Sequence, residues 1–264
     1  MKRYWGLCRG ALLDSVNFRG HYLFTFIGNI LFITLIYFLW IAIFGSSSKS
    51  INGMTFNDTF MYLTLAASTA TLLKTWCDWD MSRAMLNGNI VLQLLRPLDY
   101  QLYKTFDNLG FVISNFVIIF IPSFVLIVFV FDGGISLGIN IVFFLAAIIL
   151  AYLINNSIDF MIGSISFYTE SIWGISTTKD VIVLLLSGSV VPLPFFPEAL
   201  RNIIELLPFQ AIYNLPLQIL TNKSLQVIDY LRYMGIQAIW AVLLLAASRL
   251  VFKKASKLIT VNGG

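Results

Sequence analysis

The sequence predicts an all-α integral membrane protein. Of its 264 residues, 58% are hydrophobic and only 11% are charged, and long apolar runs give a mean hydropathy of +0.84. A soluble domain carries about a quarter charged residues, whereas runs of about 20 apolar residues are what the hydrocarbon core of a bilayer requires. The apolar composition persists almost throughout, leaving no room for a sizeable soluble domain. Residues 1–264 therefore read as one transmembrane domain.

Residues 1–21 place Trp5, Cys8, Leu12 and Val16 at helical spacing, with Lys2, Arg9 and Arg19 available to lipid headgroups. This predicts an interfacial helix leading into the first span. The first apolar run is too long for a signal-peptide h-region, which argues against a cleavable leader. Six spans follow, at about 22–44, 59–76, 109–131, 137–160, 172–191 and 233–252. The second is less apolar than the others.

Basic residues orient the spans. Thirteen of the seventeen Lys and Arg, from Lys2, Arg3, Arg9 and Arg19 through Lys74, Arg83, Arg96, Lys104 and Lys179 to Arg249, Lys253, Lys254 and Lys257, fall on one side. Only Lys49, Arg201, Lys223 and Arg232 fall on the other. Both termini are expected to be cytoplasmic, in a plasma or inner cell membrane. The net charge of +4 is accounted for by this asymmetry and by anionic lipid, so no nucleic-acid partner is called for.

Residues 77–107 form the longest expected cytoplasmic connection. Leu86, Ile90 and Leu94, with Val91 and Leu95 beside them, make an apolar stripe at helical spacing. Asn87, Gly88 and Asn89 interrupt the run and Pro97 ends it. Such a segment can lie on the bilayer. It can also press its apolar ridge into a partner's groove while Arg96 meets an acidic rim.

Between the last two spans, residues 192–228 form an interrupted outer element. A Ser-Gly and the cluster Pro192, Pro194 and Pro197 end one helix; Pro208, Phe209 and Pro216 bound a short amphipathic one. Its Leu200, Ile203, Ile204 and Leu207 share one face and Glu198, Arg201, Asn202 and Glu205 the other. At about ten residues it cannot span.

Catalytic motifs are missing. There is no G-x-x-x-x-G-K-[ST] loop, no G-x-S-x-G elbow and no H-E-x-x-H. The single histidine, His21, reads as an interfacial residue. Cys8 and Cys77 do not make a disulfide framework, and with one histidine they assemble no metal site. The chain is not expected to be an enzyme or to bind a cofactor.

Two polar features lie among the spans. Thr64, Ser68, Thr71 and Thr75 share a helical face on the second span, suited either to lining a cavity or to close helix packing. Asp159 and Lys179 each lie ten residues from Thr169. A turn there would bring them to similar depth as an ion pair between spans four and five, about 15 Å from the turn. If the fourth span ends near Asn156, both lie in a cytoplasmic loop instead.

The Leu94-Leu95-Arg96-Pro97-Leu98 run, the proline-bounded outer element and the order of the spans together resemble ABC-2-type permeases, the membrane subunits of a class of ABC exporters. The resemblance covers nearly the whole chain. It implies that Leu86, Asn87, Gly88, Asn89, Ile90, Leu94, Leu95, Arg96 and Pro97 form a helix coupled to an ATPase subunit. It implies that Pro192, Pro194, Pro197, Pro208, Phe209 and Pro216 shape a re-entrant outer exit. ATP and Mg would be held by partner ATPase subunits, and a second permease, the same chain or a related one, would complete a path for an exported substrate. An ion-coupled secondary transporter is the alternative, with Asp159 as its candidate coupling group.

Overall fold

The structure, a computed structural model, describes residues 2–17, 19–45, 50–130 and 138–258. Among them the chain is helical, apart from turns and one isolated bridge between Ile51 and Met54. Helices α1 (Lys2–Asn17) and α2 (Arg19–Gly45) are followed by α3 (Phe56–Leu73), α4 (Cys77–Leu86) and α5 (Asn89–Leu94). Helix α6 (Tyr100–Asn115) passes through a π-helical turn, Phe116–Phe120, into α7 (Ile121–Val130). Then come α8 (Ile139–Ile165) and α9 (Trp173–Leu186). Two 3-10 turns, Leu193–Phe195 and Pro208–Ala211, flank α10 (Glu198–Glu205); α11 (Asn214–Thr221) and α12 (Val227–Ala255) follow.

Four helical stretches among the described residues are long and apolar enough to cross a membrane: Tyr22–Gly45, Tyr100–Phe129, Ile139–Ile165 and Val227–Leu258. They occupy the places of the expected first, third, fourth and sixth spans. The third starts earlier than expected because Asp99 caps α6, its carboxylate accepting from the Leu102 N–H at 3.0 Å. The expected span ends at 131 and 137, and Lys49, lie outside the described residues. In the places of the second and fifth spans stand α3, of 18 residues, and α9, of 14. Neither qualifies on length and apolarity alone. Helix α3 carries polar side chains because protein surrounds it. It is buried along most of its length and packs against α2, α6, α7, α8 and α11.

The π turn has a local cause. Pro122 has no N–H, and its ring would press on the carbonyl of Ile118, so the wider turn relieves the helix there. Polar side chains then pin the bundle together. Asn29 on α2 donates Nδ2 to Ser123 Oγ at 3.2 Å and to Ser68 Oγ at 3.4 Å. Gln237 on α12 donates Nε2 to the Ala211 carbonyl at 2.8 Å and to the Ala147 carbonyl on α8 at 3.1 Å. The first bond ties the segment before α11 into the bundle.

Helix α1 lies against α6 with Cys8, Ala11 and Ser15 buried, while Trp5 and Leu13 are exposed. The face is turned relative to the expected Trp5–Cys8–Leu12–Val16 stripe because the contact is made at Gly110, where only small groups fit. A Cβ there would lie 2.5 Å from the Cys8 carbonyl oxygen and 2.6 Å from Ala11 Cβ. Burial, with a lesser push from Asp107, raises the Cys8 thiol above its ordinary pKa. Gly110→Ala should therefore lift α1, with a cost of about 1–3 kcal/mol. The check is thiol labelling of the folded protein: Cys8 is expected to react several-fold faster in the variant, and an unchanged rate would contradict this packing.

Candidate functional site: a buried charge cluster beside a cavity

The site forms where the end of α3, the start of α4, α8 and α9 meet. Helix α3 stops at Leu73, and Lys74 turns extended, so Thr75 and Trp76 lie in a short link before α4. Helix α4 then runs tightly over α8 at Gly163, where a Cβ would lie 2.8 Å from Met81 Sδ and 3.0 Å from Asp78 Cα. This close approach, which only glycine permits, sinks Asp78 toward α9. Cys77 beside it is fully buried, and burial pushes its thiol well above the ordinary value.

Lys179 lies at the centre. Its Nζ is 2.5 Å from Asp159 Oδ1 on α8, 3.3 Å from Asp78 Oδ2 on α4 and 2.7 Å from Asp180 Oδ1. The side chains of Lys179, Asp159 and Asp78 are only 10%, 2% and 1% exposed, whereas Asp180 is half exposed. Asp159 also accepts the Thr75 hydroxyl proton through Oδ2. Asp78 accepts from Ser176 Oγ at 2.5 Å and from the Trp79 N–H at 2.9 Å. Two buried carboxylates thus share one buried ammonium, with hydroxyl and amide donors completing their shells.

Sequence reasoning paired Asp159 with Lys179 but passed over Asp78 and Ser176. Asp78 follows the second span at the same end of the bundle, which was the available signal. The helical face expected on α3 divides in two. Thr64 and Ser68 are packed within the subunit, bonding to the Phe60 and Thr64 carbonyls at 2.8 and 3.0 Å. Thr71 and Thr75 border a cavity of about 230 Å³ together with Asn155, Asp159, Asp180 and Leu184.

In the 77–107 segment, Gly88 takes φ +70 and the chain breaks between α4 and α5. The expected leucine stripe therefore does not continue across the break. Ile90 is buried and Leu94 packs partly inward, near Met81, Ala84 and Tyr100. Leu86, Leu92 and Leu95 are exposed, as are Asn87, Gly88, Asn89, Arg96 and Pro97. Arg96 rests its guanidinium 5.4 Å from the centre of the Tyr103 ring. Leu92 is the exposed leucine the stripe omitted.

Between α9 and α12, Pro192 and Pro216 are buried, Pro194, Pro208 and Phe209 half-buried and Pro197 exposed. Pro197 directly precedes α10, and Pro216 sits in the first turn of α11, where a missing N–H costs no helical bond. Of the apolar face of α10, Ile204 is buried while Leu200 and Ile203 are exposed.

Long apolar helices enclosing a polar centre and a charge-lined cavity define a multi-pass helical membrane protein with an internal polar site. The family model described as ABC-2 family transporter protein matches residues 30–263, and the chain belongs to that family. It is an ABC-2-type permease, a transmembrane transport protein. Permeases of this family are generally non-enzymatic membrane subunits that work with an ATPase in a lipid bilayer. No curated protein matches the chain.

Lys179→Met would leave two buried carboxylates with hydroxyl and amide partners alone. It should destabilise the protein by about 3–5 kcal/mol, read as a lowered unfolding midpoint in mild detergent. Adding Asp78→Asn and Asp159→Asn should restore most of the loss, because the cost is uncompensated charge. No recovery would mean that Lys179 matters for its packing.

Proposed function

We propose that the chain is the permease subunit of an ATP-driven exporter in the cell membrane, with both termini cytoplasmic. Helices α3 and α9 complete six spans, α3 crossing under cover of its neighbours. Two ATPase subunits hold ATP and Mg, and a second permease closes the translocation path. The observation that carries this reading is the link from α4 to α9 through Asp78 and Lys179. A segment that presents exposed leucines to a partner is thereby joined by an ion pair to a span at the cavity wall.

On this reading, closure of the ATPase dimer around ATP moves the coupling segment. Leu86, Leu92 and Leu95 fill a groove on the ATPase and Arg96 meets its acidic rim, with Asn87, Gly88, Asn89 and Pro97 setting the turn geometry. The displacement reaches α9 through Asp78 and alters the cavity beside Thr71, Thr75 and Asp159, a two-state change biased from another chain. Residues 192–228 form the outer exit, with Pro192, Pro194, Pro197, Pro208, Phe209 and Pro216 holding its short helices. The exposed apolar face of α10 supports its seating in the outer leaflet.

The test is co-purification of the tagged chain in mild detergent with an ATPase assay on what is retained. A nucleotide-hydrolysing subunit is expected, and Arg96→Glu should weaken its retention about tenfold or more, the equivalent of about 1.4 kcal/mol. Full retention and unchanged activity in Arg96→Glu would remove the coupling role. Isolation of the chain with no such subunit would favour an ion-coupled transporter, with Asp159 as its first residue to change.

A further inference from the structure

We infer that the cavity between α3, α8 and α9 is a binding site for a protonated amine. The inference deepens the permease reading by naming the class of compound the cavity takes, and it rests on that reading for the cavity's part in transport.

The wall presents acceptors whose own donors are already used. Asn155 is buried, lines the cavity and donates Nδ2 to the Leu73 carbonyl at 3.0 Å; its Oδ1 accepts no hydrogen bond from the described residues. Thr75 commits its proton to Asp159, and Thr71 commits its own to the Ala67 carbonyl at 3.1 Å. Both hydroxyls thus face a ligand with lone pairs. These acceptors open onto the cavity, so it suits a guest carrying N–H or O–H groups.

Charge selects among such guests. Asp78, Asp159 and Asp180 gather around the single ammonium of Lys179. Lys74, the cation among the residues that line the cavity, is exposed and holds its Nζ 4.7 Å from the centre of the Trp76 ring. With Asp78 and Asp159 both ionised, two buried carboxylates face one buried ammonium, and the excess negative charge in low-dielectric surroundings favours a further cation beside them. An ammonium supplies both the N–H donors that Asn155 Oδ1 lacks and the missing positive charge. The Tyr213 ring, also in the wall, adds an aromatic surface that favours a cation.

Size completes the description. At about 230 Å³ the cavity falls below the roughly 300–1,000 Å³ of drug-sized pockets. It takes the head of an amphiphilic amine, against Ala70, Val183 and Leu184, and leaves the tail outside. Two sources share this chemistry: an amine that partitions freely into the membrane, and the ethanolamine head of a phospholipid.

The test places a thiol on the wall with Leu184→Cys and a reference thiol outside it with Leu86→Cys. The chain alone is embedded in phosphatidylcholine nanodiscs, and labelling of the parent chain, whose two cysteines are buried, is subtracted. Rates are compared for methanethiosulfonate reagents bearing ethylammonium and ethylsulfonate. The cation-to-anion ratio at position 184 should exceed that at position 86 about tenfold, the equivalent of about 1.4 kcal/mol. It should fall toward the reference in Asp159→Asn or Asn155→Leu, and hexylammonium should slow labelling at 184 where hexanol does not. Slowing by phosphatidylethanolamine discs without added amine would assign the guest as a lipid headgroup; slowing by hexylammonium alone would assign a partitioning amine. Equal ratios at the two positions, or a preference that survives both substitutions, would overturn the site. The measurement needs no ATPase, so it can fail while ATPase association holds, and hold while association fails.

Discussion

Burying the Lys179 ammonium constrains everything around it. An ion taken out of water costs several kcal/mol unless partners surround it, and those partners are on three different helices. Asp159 comes from α8, Asp78 from α4 and Asp180 from α9 itself, while Ser176, one turn earlier on α9, donates its hydroxyl to Asp78. Helix α9 has little other purchase on the subunit: Ser176 and Val183 are its buried residues, while Trp173, Val181, Ile182 and Leu185 face outward. Electrostatics therefore fixes α9 at one level, and the rest of its surface is left for lipid or another chain.

The remaining helices are held by the same kind of device in neutral form. Lipid tails are as apolar as leucine, so there is no hydrophobic force to bring spans together. The amide side chains of Asn29 and Gln237 each bridge two other elements, and Gln101 on α6 donates to Ser248 Oγ on α12 at 2.7 Å. Each such bond has a strong angular and distance requirement, so a few of them settle the register of helices whose apolar surfaces would pack equally well in several ways. Small residues then decide how close the helices come, as at Gly110 and Gly163.

What could be read from the chain follows from these forces. Spans that face lipid must be largely apolar, so α2, α12 and the joined α6–α7 are visible in composition, as is α8 despite its buried Asn155, Asn156 and Asp159. Helix α3 is shielded by protein and α9 is short, so they stand at the expected second and fifth spans without the length and apolarity of the other four. The meeting of Asp159 and Lys179 was visible because both are measured from one nearby turn. Asp78 was not: it lies 101 residues from Lys179, and nothing local records that contact. The leucine stripe misled for a simpler reason. A period of 3.6 residues holds only within one helix, and the left-handed Gly88 resets the phase between Leu86 and Ile90.

The notch at Gly163 has a mechanical consequence. With Met81 and the Asp78 backbone seated in it, α4 cannot slide along α8 without first rising out of contact, so the two helices turn together as a lever. The long arm is α8, whose 27 residues extend about 40 Å at 1.5 Å per residue. A tilt of about 5° applied at the α4 end sweeps the opposite end through roughly 3–4 Å, given that length. A small nudge to α4 thus becomes, at the far side of the protein, a displacement comparable to the width of a methyl group.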